Sequence, residues 1–211
     1  MTMKVLIADD HEVVRRGIKD LLTEQFGEVE FGEAGDGGEA LALALGGNWD
    51  LLLLDINMPG RGGLDVLVDV KKAQPRLPVL VLSMARESEY ATRVLKAGAS
   101  GFLTKQSVGH ELAAAVDKVL AGGRYVSAAL ADQLAAELST GGAGQPHEKL
   151  SDREFEVMKR LATGRSVKEI AGELSLSEKT VFTYRARLLE KLKLQGDVDI
   201  ARYALKHGLV E

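Results

Sequence analysis

The chain has 211 residues, 45% hydrophobic and 27% charged, a globular composition that excludes wholesale disorder and allows one large domain or two small ones. It has 0 cysteines, which excludes a disulfide scaffold, a cysteine-ligated zinc site and a thiol nucleophile. The net charge of −4 is unevenly spread: residues 149–211 carry 13 Lys and Arg against 10 Asp and Glu, a net +3, and the rest carries 14 against 21, a net −7. An acidic part followed by a basic part suggests two domains with different partners. No apolar run approaches the ~20 residues of a membrane span. The opening Met1-Thr2-Met3-Lys4 leads through four apolar residues into two aspartates, too short for a signal-peptide core. A cytoplasmic protein with no membrane partner is expected.

Taken in chain order, residues 5–8, 51–54, 79–82 and 101–104 read as buried strands, each short, apolar and bounded by charge or glycine. Residues 29–33 form a weaker candidate. Helical spacing marks 13–26, 38–45, 64–73, 87–97 and 108–121. Strand–helix alternation at this spacing predicts parallel crossover units, hence an α/β, flavodoxin-like, doubly wound five-stranded domain. A further helix is expected over 128–138, and the Gly-rich segment 139–145 has linker composition. Residues 151–163, 166–174, 177–192 and 198–207 then read as four short helices, the first three opening on serine, a good N-cap. The expected division is 1–124, a linker over 125–148, and an all-α domain over 149–211.

In open α/β sheets ligands bind at the carboxyl ends of the strands. Those ends carry Asp9 and Asp10, Asp55, Ser83 and Lys105. Three converging carboxylates repel, and a hard divalent cation such as Mg²⁺ with oxygen ligands relieves the repulsion. His11 is assigned to capping or packing at the first helix, since the four histidines lack ligand spacing. Asp36-Gly37-Gly38 is a turn signal and not a phosphate loop.

The pair Asp9-Asp10, the segment Asp55-Ile56-Asn57-Met58-Pro59-Gly60, Ser83, and Gly98-Ala99-Ser100-Gly101-Phe102-Leu103-Thr104-Lys105 together resemble the receiver domain of two-component response regulators. The resemblance implies that Asp55 accepts a phosphoryl group from a sensor histidine kinase. It implies that Asp9, Asp10, Asp55 and the backbone carbonyl of Asn57 hold Mg²⁺, and that Lys105 and Ser83 contact the phosphoryl oxygens. It makes Phe102 an aromatic switch that turns inward behind Ser83. Elementary chemistry agrees: a carboxylate can attack phosphorus, and metal and lysine neutralise the charge spread over the transferring oxygens. Gln106 and Gly62 depart from common receiver residues, and Met84 is expected to narrow access to the phosphoryl group.

Residues 149–211 resemble the LuxR-type helix-turn-helix domain, through Leu150-Ser151-Asp152-Arg153-Glu154, Ser166-Val167-Lys168-Glu169-Ile170-Ala171 and Leu176-Ser177-Glu178-Lys179-Thr180-Val181. The whole chain then resembles a NarL/FixJ-type regulator. Thr180-Val181-Phe182-Thr183-Tyr184-Arg185 and Gly196-Asp197-Val198-Asp199 point to its GacA/UvrY branch. Helical spacing turns Val181, Tyr184, Leu188 and Leu192 inward and Lys179, Phe182, Thr183, Ala186 and Glu190 outward. Lys179, Phe182 and Thr183 are the candidates for base edges of double-stranded DNA. Thr180, Arg185, Arg187 and Lys193 are candidates for phosphates.

The resemblance implies a phosphorylation-controlled transcriptional regulator, not an enzyme, that forms a homodimer when phosphorylated. One rival is a phosphohydrolase with an aspartyl nucleophile. Such an enzyme commonly has a second Asp two residues on, where this chain has Asn57, which cannot act as a carboxylic acid. The other is a phosphorylation-independent DNA-binding protein with a degenerate receiver, which the intact pocket set opposes.

Overall fold

Five apolar segments form one sheet with strand order β2-β1-β3-β4-β5, every neighbouring pair parallel. The computed structural model describes residues 2–84, 87–127, 130–131, 145–174 and 176–210. The first unit runs β1 (Met3–Ala8), α1 (Glu12–Phe26), β2 (Val29–Ala34), α2 (Gly37–Gly46), β3 (Leu51–Asp55), α3 (Gly63–Ala73), β4 (Val79–Ser83), α4 (Glu87–Lys96), β5 (Gly101–Thr104) and α5 (Val108–Leu120). This is the doubly wound order in which the connection reverses direction between β1 and β3, leaving a crevice at their carboxyl ends.

Position in the sheet explains the strand sequences. In β3, Leu51, Leu52, Leu53 and Leu54 are all fully buried, because a central parallel strand is covered on both faces and reads as an unbroken apolar run. Each such leucine contributes about 2 kcal/mol by burial. Strand β2 lies at the edge and buries only Ala34 completely, so its sequence is mixed. Gly32 within it lies under Trp49: a Cβ there would stand 2.8 Å from Trp49 Cζ2. Trp49 is fixed by donating Nε1–H to the Leu43 carbonyl, 2.8 Å away. The opposite edge is covered too. After α5 the chain returns along β5, where Phe102 N–H donates to the Tyr125 carbonyl at 3.1 Å and Tyr125 N–H to that of Ser100 at 2.9 Å. A covered edge is not a template for further strand pairing.

The chain divides into two compact units between residues 141 and 142, and most of the helix expected over 128–138, with the Gly-rich segment 139–144 of the expected linker, lies outside the described residues. The second unit begins with a 3₁₀ turn (Pro146–Lys149), followed by α6 (Asp152–Ala162), α7 (Val167–Glu173), α8 (Glu178–Leu192) and α9 (Asp197–Lys206). Three serines start three helices. Ser151 and Ser166 each make a reciprocal capping box, with Glu154 and Glu169, and Ser177 accepts from the Thr180 N–H. These caps satisfy backbone donors that a helix start leaves unpaired. Phe155, Met158, Ile170, Val181, Leu188, Ile200 and Ala204 are buried between the four helices. The 3₁₀ turn is tied to α9 through His147, whose backbone N–H donates to the Tyr203 hydroxyl at 3.2 Å and whose Nδ1 lies 3.0 Å from it.

Candidate functional site

The strand ends converge as the α/β topology requires. Asp9 follows β1, Asp55 closes β3 and Ser83 closes β4, and all three are buried. Lys105 follows β5, its backbone N–H donating to the Ser83 carbonyl at 2.8 Å. From there its Nζ reaches Asp55 Oδ2 at 2.7 Å and Asp9 Oδ2 at 2.6 Å. Asp55 Oδ1 accepts the Asn57 N–H at 3.0 Å. The turn after β3 is closed by α3: Gly63 N–H donates to the Ile56 carbonyl at 3.1 Å, and a Cβ on Gly63 would stand 2.6 Å from Ile56 Cα. Glycine is therefore required there.

Asp10 is more open, with a side chain 30% exposed. Beside it stands His11, whose Nδ1 lies 2.7 Å from Asp10 Oδ1 and 3.2 Å from Asp9 Oδ1. His11 holds the N-cap position of α1, but its side chain makes no capping hydrogen bond. The expectation of a capping or packing role is corrected: the ring faces the acidic pocket. Extended backbone after β1 places residues two apart on one side, which puts His11 with Asp9, and that spacing is the sequence signal that was passed over. One carboxylate oxygen each from Asp9, Asp10 and Asp55 and one His11 nitrogen lie within 4.8 Å of one another.

Arg15 was also missed. It donates from α1 to the Asp9 carbonyl at 2.7 Å and from Nε to Glu33 Oε2 at 2.9 Å. It thereby fixes the backbone that presents Asp9. Lys19 and Arg15 hold the Glu33 carboxyl below its ordinary value.

Burial pushes the Asp55 carboxyl above its ordinary value; the Asn57 N–H and Lys105 pull it down and Asp9 adds to the rise. Burial works against charge on Lys105, yet its bonds to Asp55 and Asp9 outweigh that and hold the ammonium above its usual value. The pocket thus keeps a charged lysine between two buried carboxyls. A buried carboxylate is tolerated only when paired and hydrogen-bonded. Lys105 is a single positive charge against the carboxyls of Asp9, Asp10 and Asp55, whose ligand oxygens lie within 4.8 Å of one another. A hard cation with oxygen ligands fits such a set.

Phe102 is fully buried in β5, opposite Val81 of β4. Met84 is 65% exposed.

In the second unit α8 separates its faces. Val181, Leu188 and Leu192 are buried and Tyr184 half-buried, whereas Lys179, Thr183 and Arg187 are exposed and Phe182 is 53% exposed. Thr183 Oγ1 donates to the Lys179 carbonyl at 3.0 Å. Thr180 is half-buried, its hydroxyl 2.8 Å from that of Ser177. Arg185 is engaged by Asp197 of α9, Nε to Oδ1 at 2.8 Å. Lys193 is exposed and closes α8 in the left-handed conformation with φ 56°. Lys191, not singled out from the sequence, lies 2.6 Å from Glu154 Oε2 and joins α8 to the capping box of α6.

Residues 5–117 match the family model described as response regulator receiver domain, and residues 148–204 that of the bacterial regulatory proteins, luxR family. The chain belongs to the response regulators. As a receiver joined to a LuxR-type helix-turn-helix domain it is a phosphorylation-controlled DNA-binding transcription regulator of the two-component type. Response regulator GacA of Pseudomonas aeruginosa is 38% identical over 210 residues, spanning 99% of this chain and 98% of that relative. Response regulator UvrY of Escherichia coli is 35% identical over 208 residues, spanning 98% and 95%. Among solved structures, RcsB of Salmonella enterica serovar Typhimurium, bound to promoter rprA in the presence of phosphomimetic BeF3−, is 29% identical with a TM-score of 0.60, over 96% of this chain and 98% of that one. Among the described residues of this regulator, no helix is long and apolar enough to cross a membrane.

Proposed function

We propose that Asp55 is the phosphoryl acceptor of this regulator, supplied by a sensor histidine kinase. The observation that carries the proposal is the buried Asp55–Lys105–Asp9 arrangement, with Lys105 Nζ 2.7 Å from one acid and 2.6 Å from the other. Asp9, Asp10 and Asp55 with the Asn57 carbonyl would hold Mg²⁺, which when bound supplies positive charge against the transferring oxygens. The Asn57 N–H orients one Asp55 oxygen, leaving the other toward the pocket. Lys105 stays charged and neutralises the oxygens that arrive. Ser83, at the end of β4 beside Asp55, reaches a phosphoryl oxygen with its hydroxyl. Phe102 backs Ser83, so a shift at the pocket is felt along β4 and β5 and biases a two-state surface.

In the second domain Lys179, Phe182 and Thr183 present themselves to base edges, Phe182 meeting thymine methyls. Arg187 and Lys193 hold phosphates, and Thr180 adds one contact. Arg185 reaches a phosphate while Asp197 fixes its direction. A net +3 over 149–211 is small for tight binding, so two copies act together on paired half-sites. The RcsB structures, one described as two dimers on two parallel DNAs, favour the same arrangement here. The proposed divisions are 1–124, 125–148 and 149–211, and the proposed location is the cytoplasm. The family acts on DNA, and Asn57 stands where a phosphohydrolase would carry its acid, so no turnover of small phosphate esters is proposed.

The test is intact-mass analysis after incubation with acetyl phosphate and Mg²⁺, paired with selection of genomic DNA fragments under the same conditions. A phosphoryl adduct in the native chain, none in Asp55→Asn, and DNA capture strengthened by the donor are expected. An undiminished adduct in Asp55→Asn, or capture indifferent to the donor, refutes the assignment.

A further inference from the structure

We propose that His11 is a nitrogen ligand to the cation held by Asp9, Asp10 and Asp55, and that it shifts this pocket toward borderline divalent ions such as Ni²⁺ and Co²⁺ relative to Mg²⁺. The inference rests on the reading of that pocket as a cation site. Its own observation is the placement of one ring nitrogen. His11 Nδ1 lies 2.7 Å from Asp10 Oδ1 and 3.2 Å from Asp9 Oδ1. Ligand atoms about 2.1 Å from a metal in an octahedral shell stand about 3 Å from their nearest neighbours. In the absence of a cation these are contacts in which Nδ1 directs its proton at the carboxylates, and their length is also that of adjacent ligand atoms, so a cation can enter where that proton stands.

Three further features suit the ring to this role. The His11 backbone is extended, with φ −98° and ψ 106°, which returns its side chain to the side of Asp9. The backbone N–H of His11 donates to Asp9 Oδ1 at 2.9 Å, tying the two residues into one unit. The ring is not occupied in capping α1, and at 63% exposure it can turn with little displacement of its surroundings. A cation entering here displaces the proton that Nδ1 directs at the carboxylates, and the ring, keeping its other proton on Nε2, then offers the Nδ1 lone pair. Imidazole nitrogen favours nickel, copper and zinc, whereas carboxylate and water favour magnesium and manganese. Adding one such nitrogen to an all-oxygen set changes which ion the pocket prefers while leaving Mg²⁺ its oxygen ligands.

The experiment uses the full chain with Mn²⁺ as a paramagnetic probe, read by electron spin-echo envelope modulation, and calorimetric titration with Ni²⁺ and Mg²⁺. The variants are His11→Ala and His11→Gln, neither of which removes a helix cap, with Asp9→Asn as the pocket control. Nitrogen modulation on bound Mn²⁺ is expected in the native chain and absent in His11→Ala. The Ni²⁺-to-Mg²⁺ affinity ratio should fall about tenfold, as for loss of a metal-site partner. Mn²⁺ bound with no nitrogen modulation, or modulation that survives both His11 variants, overturns the role of His11 and leaves the cation pocket standing. Mn²⁺ binding untouched by Asp9→Asn overturns both.

Discussion

Replacing Lys105 by methionine keeps much of the side-chain volume and removes the positive charge that stands between Asp9 and Asp55. Their ligand oxygens lie within 4.8 Å of each other. Two unit charges at that separation repel by about 3 kcal/mol or more at an effective permittivity of about 20. Removing one partner of a buried ion pair typically costs about 3–5 kcal/mol, the same range. Lys105→Met is therefore expected to lose about 3–4 kcal/mol of folding stability at pH 7.5 without divalent cation. The loss should depend on pH in a stated direction. The Asp55 carboxyl already lies above its ordinary value through burial, and loss of the lysine raises it further. A carboxyl whose folded value lies above its unfolded value of about 3.9 favours the folded state at low pH. That contribution disappears as pH rises through the folded value. The deficit of Lys105→Met should then shrink as pH falls from 7.5 towards 5. Mg²⁺ should restore stability at pH 7.5, because it replaces the missing charge. Urea unfolding followed by fluorescence of Trp49, the single tryptophan, reads the receiver directly. A deficit below about 1 kcal/mol, against the 3–5 typical of such losses, would refute the charge argument, as would a deficit indifferent to both pH and Mg²⁺.

Four other outcomes follow from local geometry. Gly63→Ala places a methyl 2.6 Å from Ile56 Cα, against backbone that cannot give, and should cost about 1–3 kcal/mol while lowering the phosphorylation rate; urea titration and a timed acetyl phosphate reaction check both. Ser151→Ala removes the capping-box acceptor at the start of α6 and should cost about 1 kcal/mol, seen as a lower midpoint in thermal unfolding of the second domain. Arg187→Ala should weaken DNA binding evenly across sequences and reduce the salt slope by about one, measured by fluorescence anisotropy at several salt concentrations. Arg185→Ala should also lower stability, since Arg185 is held by Asp197 at 2.8 Å; an unchanged melt would remove its assigned structural role.

Much of the pocket was legible because its chemistry sits at strand ends. An apolar run that stops at a carboxylate marks both a buried strand and the residue that emerges from it, so Asp9, Asp55 and Lys105 could be placed on one rim from sequence. Strand β2 was the weak element because an edge strand covered unevenly does not need an unbroken apolar run, and Gly32 hides the fact that Trp49 supplies the covering surface. The serine caps were equally legible, since a capping box is local and spans four residues.

What the chain order could not disclose is which groups meet once it folds. His11 stands at a helix start, and only the extended backbone there turns its ring back to Asp9 and Asp10. Arg15 and Glu33 belong to different elements, and their joint hold on the Asp9 backbone exists only because α1 lies along β2. Arg185 reads from the sequence as a phosphate contact, and only α9 brings Asp197 to it. Residue type and periodicity determine the elements and the edge of the sheet on which the chemistry emerges. Pairings between side chains 12 or 18 positions apart depend on the crossing of whole elements, and that is decided only when the core packs.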